Sequence, residues 1–129
     1  MAKYALQDLM DLIQQFLDGN ENAIWFSCPS RSVNYTARVL ECTGNEAVTH
    51  IVDGLLKLKE ADFVRTVVVF DEPKDEYGLE NHQGHNWYIK FSISEEDGET
   101  FLDELSFHPN EHPLKLANGK VLPATYSED

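Results

Sequence analysis

The sequence has few cysteines and no long hydrophobic run. Its two cysteines, Cys28 and Cys42, form no C-x-x-C pair and are too few for a disulfide framework, which favours a reducing compartment. The longest uninterrupted strongly apolar run is Val67-Val68-Val69-Phe70, far short of the roughly 20 residues that cross a bilayer. The first helical stretch carries Asp8 and Asp11, which argues against a secretory signal. We therefore expect a cytoplasmic protein that does not enter a membrane.

Basic residues are also scarce. The 129 residues include 10 lysines and arginines against 23 aspartates and glutamates, for a formal charge of −13. This balance argues against diffuse, non-specific binding to nucleic acid or to anionic membranes, so any polyanion must be bound locally. With 42% hydrophobic residues, the composition is typical of a globular protein, and the length predicts a single domain spanning residues 1–129.

Hydrophobic spacing predicts two helices in the first half of the chain. Between Ala2 and Asp18, apolar residues recur at spacings of three and four, and Gly19 is expected to cap the helix. The second helix should start at Thr43-Gly44-Asn45-Glu46, which has the T-x-x-E form of a capping box. Residues 20–32 have no clean period and are interpreted as a connector with at most one short turn.

The second half of the chain predicts strands. The β-branched and aromatic segment Thr66–Phe70 is one strand, and the alternating segments Trp87–Ile93 and Phe101–His108 should pair as a hairpin. Residues 71–86 are polar and aperiodic, which predicts a long loop and the first place to look for a site. A short edge strand or hairpin is expected around the turn at Asn118-Gly119.

The order of these elements predicts an α+β fold. N-terminal helices, in about residues 1–64, would pack on one face of a small, mainly antiparallel β-sheet, in about residues 65–122. A short acidic tail ends the chain.

Histidines cluster in the C-terminal half, where four of the five lie: His82, His85, His108 and His112. Two histidines, or a histidine and a lysine, can divide the base and acid roles of a proton transfer near neutral pH. Exposed polar residues in loops are the alternative interpretation. The spacings also resemble those of metal ligands, but the signal is weak without cysteines or a firm scaffold. We expect neither a metal nor another cofactor.

Two further patterns bear on function. Alternation places Tyr88 and Lys90 on the face of their strand opposite the apolar stripe, where both could project towards a ligand or simply into solvent. Acids are concentrated in residues 71–80, with five acids and one lysine, and in residues 95–104, with six acids and no base. These runs are either solvated turns or a surface that docks a basic protein. The sequence lacks G-x-S-x-G, the Walker phosphate loop, the dinucleotide glycine fingerprint and H-E-x-x-H.

From about Val33 to Leu122, the order of elements and residues resembles the MqsR-like toxins of the RelE and barnase-like (BECR) group of small ribonucleases. The residues that carry this resemblance are the helix ending in Leu55-Leu56 and Leu58, Ala61-Asp62-Phe63-Val64-Arg65, Asp75-Glu76-Tyr77-Gly78, Trp87-Tyr88-Ile89-Lys90-Phe91 and Leu105-Ser106-Phe107-His108-Pro109.

The resemblance implies a metal-independent endoribonuclease of the mRNA interferase type, the toxin of a toxin and antitoxin pair. RNA would be cleaved by attack of a 2′-hydroxyl on the adjacent phosphate. His85 or His108 would then act as base or acid, and Lys90 and Arg65 would stabilise the phosphate. Tyr88 would hold or stack the substrate. His82 and Gln83 are also expected to contact the RNA.

A second hypothesis is a non-catalytic, acidic inhibitor or immunity-type protein. It would bind a basic nuclease or another basic nucleic-acid-binding protein through Asp71, Glu72, Glu95, Glu96 and Asp97. In this interpretation the histidines are incidental. The sequence leaves the oligomeric state and the preferred RNA open.

Overall fold

The structure, a computed structural model, describes residues 2–26 and 30–124. In this part of the chain the helices precede the strands, which confirms the predicted α+β class. The α-helices are α1 (Leu6–Leu17), α2 (Arg31–Leu40) and α3 (Gly44–Leu56), with short 3-10 helices at Glu21–Ala23 and Glu60–Asp62. The strands are β1 (Phe63–Val69), β2 (Glu72–His82), β3 (His85–Glu96), β4 (Glu99–Pro109), β5 (Leu114–Lys115) and β6 (Val121–Leu122). Cys28 lies outside the described residues, and Cys42 is a free thiol.

Helix α1 begins at Leu6, four residues after the predicted start at Ala2. The carboxylate of Asp75 accepts hydrogen bonds from the backbone amides of Lys3 and Tyr4, at 3.0 and 2.8 Å, and this pairing ties the first residues to the sheet instead of to the helix. The C-terminal prediction is confirmed, because Gly19 follows the cap with a φ of +107°.

Helix α3 has the predicted capping box. The Thr43 hydroxyl accepts from the Glu46 amide at 3.2 Å, and the Glu46 carboxylate accepts from the Thr43 amide at 3.0 Å. These bonds satisfy amides that the first turn leaves free, so the helix begins at a defined residue.

Helix α2 corrects the sequence prediction, which had a connector over residues 20–32. It begins inside that segment at Arg31, and the Ser30 hydroxyl caps it by accepting from the Val33 amide at 3.2 Å. Half of its ten residues are polar or charged, which weakens the signal, although Val33, Ala37 and Leu40 recur at helical spacing and Val33 and Leu40 pack against the core.

The predicted loop over residues 71–86 is wrong. Most of it forms β2, an inner strand of an antiparallel sheet with the order β1-β2-β3-β4. Charged residues fit in this strand because each has a partner: buried Asp75 also accepts from the Thr66 hydroxyl, and buried Lys74 pairs with Glu104.

The predicted β3–β4 hairpin is confirmed, and Asp97 and Gly98 form its turn with φ of +53° and +81°. Trp87, Ile89 and Phe91 are fully buried, as the alternation predicts, and together with the helices they form the core.

The expected C-terminal hairpin is present as β5 and β6. It packs against the sheet at Gly78, where an added Cβ would lie 2.8 Å from a Leu116 methyl group. The sheet thus has a core face covered by helices and an opposite face, here called the open face, that the hairpin covers in part. None of the described helices combines the length and the apolar character needed to cross a membrane.

Candidate anion-binding cleft

The open face brings together four of the seven residues predicted to form the site. Tyr88 lies opposite His108 across the β3–β4 pair, and Lys90 lies opposite Glu76 across the β2–β3 pair. Arg65 is opposite Glu76 on its other side. Because directly opposed residues of antiparallel strands project on the same side, these side chains share one surface.

His82, for which the sequence predicts a contact with RNA, is not part of this surface. The side chain has no exposed area. Its Nε2–H donates to the His50 carbonyl at 2.7 Å, and its Nδ1 accepts from the Lys57 ammonium at 3.0 Å. Burial lowers the pKa of His82 below its usual value, which keeps the ring neutral. The side chain joins α3 to β2 and is unavailable to a ligand.

Gln83 and His85 lie at the β2–β3 turn, at the far end of the sheet. Gln83 is exposed in the turn with a φ of +52°, and the half-buried His85 ring packs edge-on against Trp87 with centroids 6.0 Å apart. His85 therefore points to the core face, and Lys90 lies five positions further along the strand, about 16 Å away. The structure does not bring His85 together with His108.

A cleft of about 750 Å³ separates the N-terminal half of α2 from the open face. Its lining combines cationic, aromatic and hydroxyl groups with two carboxylates: Ser30, Arg31, Ser32, Tyr35, Lys74, Lys90, Asp103, Glu104, Ser106 and His108. The Ser32 hydroxyl fixes the helix to the sheet by donating to the Leu105 carbonyl at 2.7 Å.

His108 is held in one tautomer inside this cleft. Its Nδ1 lies 2.9 Å from the Pro109 carbonyl, which can only accept, so Nδ1 carries the proton. Nε2 is then left as a proton acceptor. The imidazole also contacts two phenol rings, with centroids 5.2 Å from Tyr88 and 5.6 Å from Tyr35. These contacts hold the imidazole in one orientation, and Nε2 of an imidazole can act as a base.

Lys90 is the half-buried cation of the cleft. Among the described residues its ammonium has no hydrogen-bond or ion-pair partner, whereas Lys74 is paired with Glu104. Arg31 likewise has no carboxylate partner in the part of the chain that the structure describes. Arg31 belongs to the first turn of α2 and Lys90 lines the same cleft, where the helix macrodipole adds positive potential.

Glu76 binds the side chains of Tyr88 and Arg65, the other two predicted site residues on the open face. Its buried carboxylate accepts from the Tyr88 hydroxyl and from Arg65 Nε, the latter at 2.6 Å. Burial, reinforced by this hydrogen bond, raises the pKa of Tyr88 well above its usual value, so the phenol stays protonated. The positive charge of Arg65 is largely offset by its ion pair with Glu76. A second cavity of about 510 Å³, lined by Arg65, Tyr88, His108 and His112 among others, lies beside this network.

The sequence interpretation did not identify Glu76, Arg31 and Tyr35 as part of the site. Glu76 lies in the segment that the sequence predicts as a loop, and Arg31 and Tyr35 belong to α2, which is not among the predicted helices. The signals available in the sequence for that helix are the serine cap at Ser30 and the short apolar stripe at Val33, Ala37 and Leu40.

No group of three or more histidine, cysteine or acidic side chains among residues 2–26 and 30–124 is arranged to hold a metal ion.

The comparisons with known proteins leave the resemblance to the MqsR-like toxins as a prediction. No family model matches the chain, and neither curated proteins nor solved structures gave a match.

Proposed function

We propose that the protein is a toxin-type, metal-independent endoribonuclease that cleaves RNA by 2′-hydroxyl attack on the adjacent phosphate. The observation that carries the proposal is that Lys90, with an ammonium free of carboxylate partners, and His108, with a free Nε2, line one cleft. The protein would act in the cytoplasm and be held inactive by a cognate antitoxin.

Phosphate binding would depend on the cations at the cleft. Lys90 and Arg31 would contact phosphate oxygens, supported by the N-terminus of α2 between Ser30 and Ser32. The exposed Tyr35 ring would stack on a base, since aromatic rings hold single-stranded RNA in this way.

In the reaction, His108 Nε2 would take the proton of the 2′-hydroxyl, and the 2′-oxygen would form a bond to phosphorus. The Lys90 ammonium would stabilise the charge of the pentacoordinate phosphorus and is available to protonate the leaving 5′-oxygen. The bond from phosphorus to the 5′-oxygen breaks, leaving a 2′,3′-cyclic phosphate and a 5′-hydroxyl. Tyr88, a neutral phenol, would hold His108 in position.

The high negative charge of the chain is compatible with this site because the carboxylates nearest to Lys90 already form ion pairs or hydrogen bonds with other groups. Glu104 pairs with Lys74, and Glu76 pairs with Arg65. Asp103 accepts from the Ser94 hydroxyl and from the Glu104 amide. The local balance of charge at Lys90 is therefore less negative than the formal charge of −13 suggests.

Expression in a bacterium tests the proposal. Induction of the unaltered chain should inhibit growth and fragment RNA, and Lys90→Ala or His108→Ala should abolish both effects without unfolding the protein. Lys59→Ala, which removes an exposed lysine outside the cleft, is the matched control and should remain toxic. Inhibition that persists in both cleft variants would overturn the proposal.

A second candidate function is a non-catalytic, acidic protein that binds a basic protein. In its favour, the β1–β2 and β3–β4 turns lie at the same end of the sheet because adjacent strands are antiparallel. This end, here called the acidic end, contains Asp71, Glu72, Glu95, Glu96 and Asp97. Phe70, which is 99% exposed, adds an apolar contact at its tip. Salt-sensitive binding of a basic protein, with RNA intact after long incubation, would favour this function over the enzyme.

A further inference from the structure

A further cleft, of about 1060 Å³, lies between the 3-10 helix Glu21–Ala23 and the β3–β4 turn. Here it is called the Trp25 cleft. Aromatic rings, including Trp25 and Phe101, line its interior, and four carboxylates line it as well: Glu21, Glu96, Asp97 and Glu99. The proposed RNA cleft shares Trp25 and Phe26 with it, and the other lining residues of the two clefts differ.

Trp25 is exposed but firmly placed. Its amide donates to the Leu102 carbonyl at 2.9 Å, and Ile24 forms a parallel bridge with Leu102, so the backbone is fixed along the β4 edge. The indole is 56% exposed, and its centroid lies 5.9 Å from that of Phe101. A large aromatic ring held this far in solvent by an ordered backbone offers a preformed contact surface.

The charged residues that line the Trp25 cleft are all acidic. None of the lining residues is a lysine, arginine or histidine. Within the described part of the chain, none of the four lining carboxylates forms an ion pair. The β3–β4 turn, with both central residues at positive φ, sets three of these carboxylates beside the aromatic rings.

We propose that the Trp25 cleft binds an arginine-containing segment of a basic partner protein. A guanidinium can stack on an indole while its N–H groups bind carboxylates, which matches the two chemistries of this lining. The same carboxylates repel phosphate, so nucleic acid is not the occupant. The inference rests on the second candidate function and deepens it, because it assigns the contact to one concave surface of the acidic end.

Tryptophan fluorescence measures this binding directly. The chain has two tryptophans, and Trp87 is fully buried, so a change in emission reports on Trp25. The probe is an acetylated and amidated eight-residue peptide of alternating arginine and glycine, with a glutamate and glycine peptide as the negative probe. The basic peptide should quench or shift the emission saturably, and the acidic peptide should have no effect.

Variants separate the cleft from diffuse charge. The double variant Glu96→Gln/Glu99→Gln should weaken binding of the basic peptide about tenfold or more. Trp25→Ala, measured by calorimetry, should weaken it about fivefold. The double variant Asp53→Asn/Glu60→Gln removes the same charge at exposed positions outside both the acidic end and the cleft lining, and should change the affinity less than twofold. Thermal unfolding followed by circular dichroism establishes that each variant is folded.

The contradicting results are distinct. Equal weakening in the two double variants would overturn the Trp25 cleft while leaving an acidic binding protein in place. If the basic peptide does not bind at low salt, both the Trp25 cleft and the second candidate function are overturned. Dimerisation of the unaltered chain that is lost in Trp25→Ala would assign the cleft to a second copy of this chain and contradict a basic partner.

Discussion

At the scale of single residues, His82 is the histidine whose environment differs most from its sequence interpretation. It is fully buried, bound on both ring nitrogens, and close to the Lys57 ammonium. A protonated ring would lose the hydrogen bond to Lys57 and face a like charge. The neutral form is therefore the one that stabilises the contact between α3 and β2.

This predicts a stability that falls in acid. Because the folded pKa of His82 is lowered, the unfolded chain binds more protons below its ordinary pKa of about 6.5. The contribution is fully present above that pH and is lost as the pH falls from about 6.5 through the folded pKa. Urea unfolding at pH 7.5 and pH 5.0 measures it. His82→Gln should lower stability at pH 7.5 by about 1–3 kcal/mol and reduce the dependence on pH; an unchanged dependence would contradict the assignment.

The sequence predicts Tyr88 and Lys90 on one surface because alternation with period two is a local property of a strand. His108 joins them through register, which the hairpin pairing also makes predictable. The role of Glu76 depends on a pairing with β1 and on the Tyr88 hydroxyl, and neither can be deduced from spacing. The burial of His82 depends on where α3 packs.

At the scale of elements, α3 approaches the sheet closely at Gly54. A Cβ there would lie 2.8 Å from the Phe107 ring and 3.0 Å from His82 Nε2. Gly54→Ala should therefore lower the free energy of unfolding by about 1–3 kcal/mol, despite the better helix propensity of alanine.

Gly44 in the same helix is the matched control. A Cβ at this position meets only a Val33 methyl group at 3.8 Å, an ordinary contact. Gly44→Ala should be neutral or stabilise by up to about 1 kcal/mol in urea denaturation. Equal destabilisation by the two substitutions would contradict the close approach at Gly54.

The capping box of α3 gives a second prediction for this element. Thr43→Ala removes the hydroxyl that accepts from the Glu46 amide and should lower the free energy of unfolding by about 0.5–2 kcal/mol. Thr49→Ala, an exposed position later in the helix, should change it by less than about 0.5 kcal/mol. Similar midpoints for the two variants in chemical denaturation would argue against the cap.

Helix α3 and the β3–β4 hairpin could be predicted because their signals are local: a capping box, a hydrophobic period and a glycine turn. Strand β2 could not, since its charged residues become acceptable only through partners from the N-terminus, β1 and β4. Asp75 illustrates this, because it binds two N-terminal amides and the Thr66 hydroxyl. Helix α2 has an apolar stripe at Val33, Ala37 and Leu40, but the cleft that it forms with the sheet depends on how it packs against β4, which spacing in the sequence does not give.

At the scale of the whole molecule, charge is segregated. Unpaired cations on α2 and on the open face line one cleft, while carboxylates dominate the acidic end and the Trp25 cleft. An electrostatic potential that favours anions at the cleft can coexist with a formal charge of −13, because charges farther apart than about 8 Å are largely screened at physiological ionic strength.

This segregation predicts a shallow salt dependence of RNA binding. With two phosphate contacts, from Arg31 and Lys90, the logarithm of the association constant should fall with a slope of about −1.4 against the logarithm of salt concentration. Lys90→Ala should reduce the slope to about −0.7. Titration of a 2′-O-methyl RNA, which cannot attack its own phosphate, measures both values. A slope unaffected by Lys90→Ala would exclude this lysine as a phosphate contact.

The most direct test of the central claim is to identify the ends of the products formed from single-stranded RNA by the purified protein. Mass spectrometry should find 2′,3′-cyclic phosphates and 5′-hydroxyls in the presence of a metal chelator, and Lys90→Ala and His108→Ala should yield neither. RNA that remains intact after long incubation with the unaltered protein, or fragments that carry 3′-hydroxyl and 5′-phosphate ends, would contradict the account.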